Sequence, residues 1–283
     1  MKILVTGANG QVGTEIRLLE QTQPDWQFHF HDVDTLDIVN EKQVGEYFGT
    51  IQPDVCINSA AYTAVDKAES DELQARGINA DGPALLARAC SANNSKLIHL
   101  STDFVFDGKK SSPYKEEDQP NPLGVYASTK LEGDLAVQQH CSNAIILRTS
   151  GVYSNYGNNF VKTMKRLGSE RDQLKVIYDQ AMTPTYARDI AQAIIDIIPL
   201  LNHEDKFGLY NYTNEGVASW YDLAVATLRI SGIECEVLPI ETHEYPTPAR
   251  RPSYSVLHKG KIKEAFGLSI PHWRKSLEEC LKA

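Results

Sequence analysis

The 283-residue sequence has no apolar run of the length that spans a bilayer. It also lacks the layout of a secretory leader, because "MKILVTGANG" begins a strand pattern at once. The expected compartment is therefore the cytoplasm, and no membrane partner is expected. Cysteine is sparse. Cys56, Cys90, Cys141, Cys235 and Cys280 are far apart, odd in number and form no CxxC pair. Such thiols fit a reducing compartment better than a disulfide framework or a zinc site. The eight histidines form no HExxH or other ligand spacing, so no metal site is expected. Basic charge is in deficit too: 28 Lys and Arg stand against 37 Asp and Glu, a formal net charge of -9. That sign does not attract nucleic acid or an anionic membrane, and an anionic substrate would need a local basic patch.

What is present is a chain long enough, at 42% hydrophobic residues, to bury a large core. Its first half alternates strand and helix patterns. "KILVTG", "WQFHFHD", Val55–Asn58 in "PDVCINSAA", "KLIHLST" and "NAIILRTS" read as strands. Between them lie helical stretches: Gln11 to Leu19, "EKQVGEYFGT" with Val44, Tyr47 and Phe48 on one face, "NADGPALLARACSAN" and "YASTKLEGDLAVQQH". Strict alternation predicts βαβ units and a doubly wound parallel sheet. After Ser150 the pattern changes. "KVIYDQ" is a candidate strand, and "ARDIAQAIIDIIPLL" is a helix ending near Pro199. "ASWYDLAVATLRISG" is a helix with Ser219 as N-cap and a stop at Gly232, and "SIPHWRKSLEECLKA" is a last helix. "PTPARRPSYS" reads as an irregular basic loop. The expected division is a cofactor domain over 1–150 and a smaller, mainly substrate-binding portion over 151–283, partly interleaved.

"TGANGQVG" follows the first strand and opens the first helix, with Gly7, Gly10 and Gly13 three apart. Glycines there permit tight turning and close backbone approach. The helix N-terminus then offers free N–H groups to a pyrophosphate. The second strand ends in "HDVD". Asp32 lies near the distance expected for a carboxylate on the adenosine ribose hydroxyls, with Asp34 competing for the role. A carboxylate there repels a 2′-phosphate, which leans toward NADH over NADPH. Asp37 and Ile38 follow as candidates beside the adenine.

"YASTK" holds Tyr126 and Lys130 four apart. Four helical residues rise about 6 Å and return to the same face. A nearby ammonium favours the phenolate and would bring the tyrosine toward a working pH. Taken alone, this spacing is common on helix surfaces. It gains weight from "HLST", whose strand end lies on the ligand side of such a sheet and offers Thr102 to a substrate carbonyl.

The segments "TGANGQVG", "INSAAYTAVDKAES", "STDFVFDG", "YASTK" and "LRTSGVY", with the late "ARRPSYSVL", resemble the dTDP-4-dehydrorhamnose reductase family of the extended short-chain dehydrogenase/reductase superfamily. The resemblance covers nearly the whole chain and implies a Rossmann-type fold. It implies NADH- or NADPH-dependent reduction of a 4-keto-6-deoxyhexose carried on a nucleoside diphosphate. By position it makes Thr102, Tyr126 and Lys130 the catalytic set and puts Asp103 on the sugar. It also puts Gly10, Gln11 and Val12 along the pyrophosphate, and Ala60, Ala61, Tyr62 and Thr63 at the cofactor. Arg250 and Arg251 are candidates for the diphosphate, with a solvated basic loop as the other reading.

Two positions depart from the family pattern. The family often has Trp where this chain has Gly151, next to the sugar; Tyr153, Tyr156 or a wider pocket are the alternatives. Some members place a glutamate that helps bind magnesium at a dimer interface where this chain has Arg188, leaving Glu15 alone. A magnesium-bridged dimer is therefore not expected, and a monomer or weak homodimer is. Other readings on the same scaffold are a nucleotide-sugar epimerase or dehydratase, or an idle nucleotide-binding regulatory subunit. Dehydratases that resemble this chain carry an Asp-Glu pair after the Thr; here Asp103 is followed by Phe104, which cannot move a proton.

Overall fold

The computed structural model describes residues 1–201 and 206–282; Ala283, at the end of the expected last helix, lies outside them. The first apolar run forms β1 (Lys2–Thr6), with Ile3, Leu4 and Val5 fully buried. The glycine-rich loop leads into α1 (Gln11–Leu19), followed by β2 (Gln27–His31), α2 (Glu41–Ile51) and β3 (Val55–Asn58). Two short helices, α3 (Val65–Ala68) and α4 (Glu72–Arg76), pass through a π-helical turn over Gly77–Asp81 into α5 (Gly82–Ala92). Then come β4 (Lys96–Thr102), α6 (Val125–His140) and β5 (Ala144–Thr149). The expected alternation is present in the expected places.

Five of these strands and one later strand form a six-stranded sheet. β1 pairs in parallel with both β2 and β3, and β4 and β5 continue outward from β3. The winding therefore reverses at β1, and ligands of such sheets sit beyond the strand ends at that reversal. One face packs Ile3, Val5, Ile57, Ile98 and Ile145 against Val12 and Ile16 of α1. The other packs Leu4, Cys56, Leu97 and Ile146 against Val44 and Phe48 of α2, Leu86 of α5 and Val137 of α6. Burial on both sides explains why these strands read as unbroken apolar runs.

The second half supplies β6 (Val152–Tyr153), α7 (Phe160–Glu170), β7 (Gln173–Ile177), β8 (Ala181–Met182), β9 (Thr185–Tyr186) and α8 (Ala187–Ile197). It continues with β10 (Gly208–Asn211), β11 (Ala218–Ser219), α9 (Trp220–Ile230), β12 (Glu236–Ile240), α10 (Gly260–Phe266) and α11 (Trp273–Lys282). The candidate strand "KVIYDQ" corresponds to β7, which pairs in parallel with β12. Ser219 caps α9 through a capping box with Asp222, and Gly232 beyond its end has φ +65°. "GLYN" was not read as a strand, yet as β10 it pairs with β5 and completes the large sheet. Ile190 and Ile194 of α8 and Ile262 and Phe266 of α10 join the α1-side core. The rest of this half has smaller cores of its own, around Tyr186, Leu223 and Trp273 and around Met164 and Leu228.

Candidate functional site

β1 ends at Thr6 and the chain turns at Gly7 with φ +66°. A Cβ on Gly7 would lie 2.5 Å from the backbone N of Ala60, and one on Gly13 would lie 2.5 Å from the Gly7 carbonyl oxygen. The glycines are therefore required by backbone-to-backbone approach. Gly10 starts α1 without a side-chain cap, so no side chain of the N-cap residue takes up the first-turn N–H groups. This is a cradle shaped for phosphate. Val12 is buried in the core behind it, while Gln11 lines the cavity described below.

Asp32, rather than Asp34, closes on this loop. Its Oδ2 accepts the Asn9 N–H at 2.9 Å, and Oδ1 accepts the Val33 N–H at 2.9 Å. Asp37 turns inward to its own loop, its Oδ1 accepting the Val39 N–H at 3.1 Å. Ile38 is core, seated against the first turn of α5 where a Cβ on Gly82 would meet its Cδ1 at 2.6 Å. After β3, Ala60 donates its N–H to Asn58 Oδ1 at 3.2 Å. Ala61 is half-buried, and Tyr62 is pinned by Asn79, whose Oδ1 accepts the Tyr62 N–H at 2.9 Å. Asn79 also donates to Thr129 Oγ1 at 3.2 Å, tying this segment to α6.

A cavity of about 320 Å³ opens at the C-terminal ends of β4 and β5. Thr102, Asp103, Phe104 and Tyr126 from the end of β4 and the start of α6 line it together with Gly151, Met182, Trp220, Pro252 and Ser255 from the second half of the chain. Thr102 and Tyr126 both line the cavity, and the Thr102 hydroxyl donates to Asp103 Oδ1 at 3.3 Å. Thr102 Oγ1 also accepts the Phe104 N–H at 3.2 Å. Asp103 Oδ2 accepts Ser150 Oγ–H at 2.6 Å, and Ser255 bonds the same carboxylate. Burial pushes the Asp103 carboxyl up to about 6, against those hydrogen bonds. Lys130 lies below Tyr126 on α6, its Nζ donating to the Leu100 carbonyl at 2.7 Å. Burial pushes Lys130 down to about 8 and Tyr126 up to about 12. Desolvation is the largest effect on both groups, and at Tyr126 it acts in the sense opposite to that expected of a nearby ammonium.

The whole chain, residues 1–283, matches the family described as "RmlD substrate binding domain". A dTDP-4-dehydrorhamnose reductase of Aggregatibacter actinomycetemcomitans is 41% identical over 98% of this chain and 97% of that protein. The chain belongs to the dTDP-4-dehydrorhamnose reductase family. Among solved structures, the reductase of Clostridium acetobutylicum is 42% identical with a TM-score of 0.95, covering 100% of this chain and 99% of that one. The Bacillus anthracis reductase, solved in complex with NADP, is 35% identical with a TM-score of 0.94, covering 99% and 98%.

Against the pattern of this reductase family, the space at Gly151 is resolved by the structure. Gly151 has φ +54°, and a Cβ on it would meet Met182 Sδ at 2.8 Å. Tyr153 is buried, stacked on Tyr186 at 5.7 Å, and Tyr156 is solvent-exposed; neither lines the cavity. Trp220, held at 4.8 Å from Phe160, is the aromatic wall. Arg250 and Arg251 do not line the cavity either. Arg250 is exposed, and Arg251 is engaged bidentately with Asp66 at 2.9 and 2.8 Å. That guanidinium holds the Asp66 carboxyl below the usual range. The pair straps the 247–255 loop to α3, bringing Pro252 and Ser255 to the cavity.

Glu15 is buried near Arg188, its carboxyl raised by desolvation and lowered by that cation. Among the described residues no cluster of three or more acids, histidines or cysteines is arranged to hold a metal. No helix among them is long and apolar enough to cross a membrane. Sequence reasoning missed Ser150, Trp220, Ser255 and the buried Asn58, His99, Asp134 and Arg148. The signal available was a polar residue within or at the end of an apolar strand run: Asn58, His99 and Arg148.

Proposed function

We propose that this chain reduces the 4-keto group of a nucleoside-diphosphate 4-keto-6-deoxyhexose with NADH or NADPH, converting dTDP-4-dehydrorhamnose to dTDP-L-rhamnose. The observation that carries this is the joining of Thr102, Asp103 and Tyr126 in one cavity at the sheet's C-terminal edge, with Lys130 directly beneath. The names and near-complete coverage of the relatives support it, as does the NADP bound to the Bacillus anthracis enzyme. Residues 1–150 form the cofactor side, and 151–283 mainly the sugar side.

The nicotinamide cofactor supplies the hydride. Gly7 and Gly13, where a Cβ would strike neighbouring backbone, let the loop close tightly before α1, and with Gly10 they would hold its pyrophosphate at the first turn of that helix. Asp32 sits where the adenosine ribose would lie, which favours NADH. Tyr126, kept neutral by burial, donates its phenolic proton to the carbonyl oxygen as that oxygen becomes an alcohol. Thr102 Oγ1 holds the same oxygen and aligns the phenol. Asp103, fixed by Ser150 and Ser255, accepts a sugar hydroxyl. Trp220 and Met182 close the wall that Gly151 leaves open.

Dehydration needs a second acid or base. Asp103 is the one carboxylate among the described residues lining the cavity, and Phe104 beside it packs edge-on against Tyr126 at 5.9 Å. The test is to mix the purified protein with NADH or NADPH and dTDP-4-dehydrorhamnose and follow the nicotinamide absorbance. Loss of reduced cofactor equal to sugar consumed is the expected result. Tight cofactor binding without turnover would refute the reductase in favour of a regulatory subunit.

A further inference from the structure

The chemistry above makes no use of a buried polar row under the cavity. Thr6, Asn58 and His99 stand opposite one another on β1, β3 and β4. Thr6 Oγ1 donates to Asn58 Oδ1 at 2.8 Å, and Asn58 Nδ2 donates to His99 Nδ1 at 3.0 Å. The Ala60 N–H also reaches Asn58 Oδ1, which orients the amide and leaves Nδ1 of His99 as acceptor. The imidazole proton is thereby assigned to Nε2. That atom faces Asp134 Oδ1 at 3.8 Å, a charge–dipole contact rather than a hydrogen bond. Neither atom has a hydrogen-bond partner. Asp134 Oδ2 accepts Arg148 Nε–H at 3.2 Å. Every one of these side chains is at most 3% exposed.

Tyr126, Lys130 and Asp134 follow at four-residue intervals on α6, so they form one stripe running from the cavity into the core. Asp134 is ion-paired with the buried Arg148 at 3.2 Å and lies one helical turn from Lys130, whose charge acts on it through space. His99 is neutral, because burial and Lys130 hold its imidazole well below the usual range. Buried ionic groups are costly, and an apolar contact would hold a helix on a sheet more cheaply. The opposite face of the same sheet packs its helices mainly through apolar side chains, with Glu15 of α1 also buried there.

We propose that Asp134, oriented by His99 and Arg148, is a positioning residue that holds the Lys130 ammonium in place and charged beneath Tyr126. This rests on the reductase reading of Lys130. The charged and titratable groups that act on or feel Lys130 are Asp134 one turn along its own helix and His99 on β4, with Arg148 on β5 bound to Asp134 and Tyr126 one turn before it on α6. Of these, Asp134 is the one that raises Lys130 against burial. A lysine needed as the cation loses function as pH rises through its pKa. Removing Asp134 therefore moves that loss to lower pH.

The experiment compares kcat/KM against pH for the unaltered protein and Asp134→Asn, with dTDP-4-dehydrorhamnose and reduced cofactor, alongside Tm. The alkaline limb is expected to move down by about one pH unit in the variant. kcat/KM near neutral pH is expected to fall about twofold, and about tenfold on the alkaline side where both forms are titrating. A lower Tm with a superimposable pH profile would mean a structural role only and overturn the inference. If Asp134→Asn does not fold, His99→Phe is read the same way: it removes the N–H facing Asp134, and a smaller shift in the same sense is expected. An unmoved limb there overturns the inference as well. Failure of the unaltered protein to reduce the keto sugar sinks the reductase reading instead, so the two failures are told apart.

Discussion

The two faces of the large sheet differ at the same height. On the α1 and α8 side, Val5, Ile57 and Ile98 lie in adjacent register, all apolar and buried. One residue further on, pointing to the α6 side, Thr6, Asn58 and His99 form a hydrogen-bonded polar row, equally buried. Both faces must hold helices, and burial drives that on either side. The polar row gives up part of that driving force. Its place directly below Tyr126 and Lys130 indicates that this face orients charge, while the other provides stability.

The sharpest way to break this comparison is Tyr126→Phe, which removes the proton donor and leaves the ring. kcat should fall about a thousandfold or more, while cofactor affinity measured by fluorescence stays unchanged. Near-normal turnover would remove Tyr126 from its role. Next comes Ile194→Ala on the apolar side, fully buried on α8. It should cost about 2–5 kcal/mol in denaturant unfolding, with the pH dependence of turnover unaltered. A moved pH limb would show that the two faces are not separable.

A smaller effect is expected at the sugar wall. Trp220→Leu keeps an apolar side chain but removes the ring, and KM for the keto sugar should rise about tenfold with cofactor affinity constant. Equal weakening of sugar and cofactor would place Trp220 outside the sugar wall. The smallest change is expected at Asp66→Asn. Asp66 and Arg251 are 41% and 21% exposed as side chains, so water screens the pair. The loss in unfolding free energy should be under about 1 kcal/mol. A larger loss would make this rim strap comparable to the buried row.

Much of this was legible in the order of residues. Central strands buried on both faces are largely apolar, so β1, β3 and β5 stand out in the sequence and the alternation with helices dictates a parallel sheet. Gly7 and Gly13 are readable because backbone contacts at 2.5 Å exclude every side chain, and that requirement is local to the turn. Tyr126 and Lys130 share one helix, so their pairing follows from helical periodicity. β10 was invisible because its four residues become a strand only beside β5, a partner distant in the chain. The wall at Gly151 went to Trp220, not to the neighbouring tyrosines, because Tyr153 is drawn into the core against Tyr186. Arg251 was readable as a cation but not as the partner of Asp66, since charge pairing depends on which loops meet. The same holds for Asp134: its residue type and its spacing from Lys130 are written in the sequence, but its contacts with His99 and Arg148 exist only once three elements pack together. Local geometry and periodicity are properties of the chain. Which buried charges face one another, and how far burial moves their proton affinities, are properties of the packed interior.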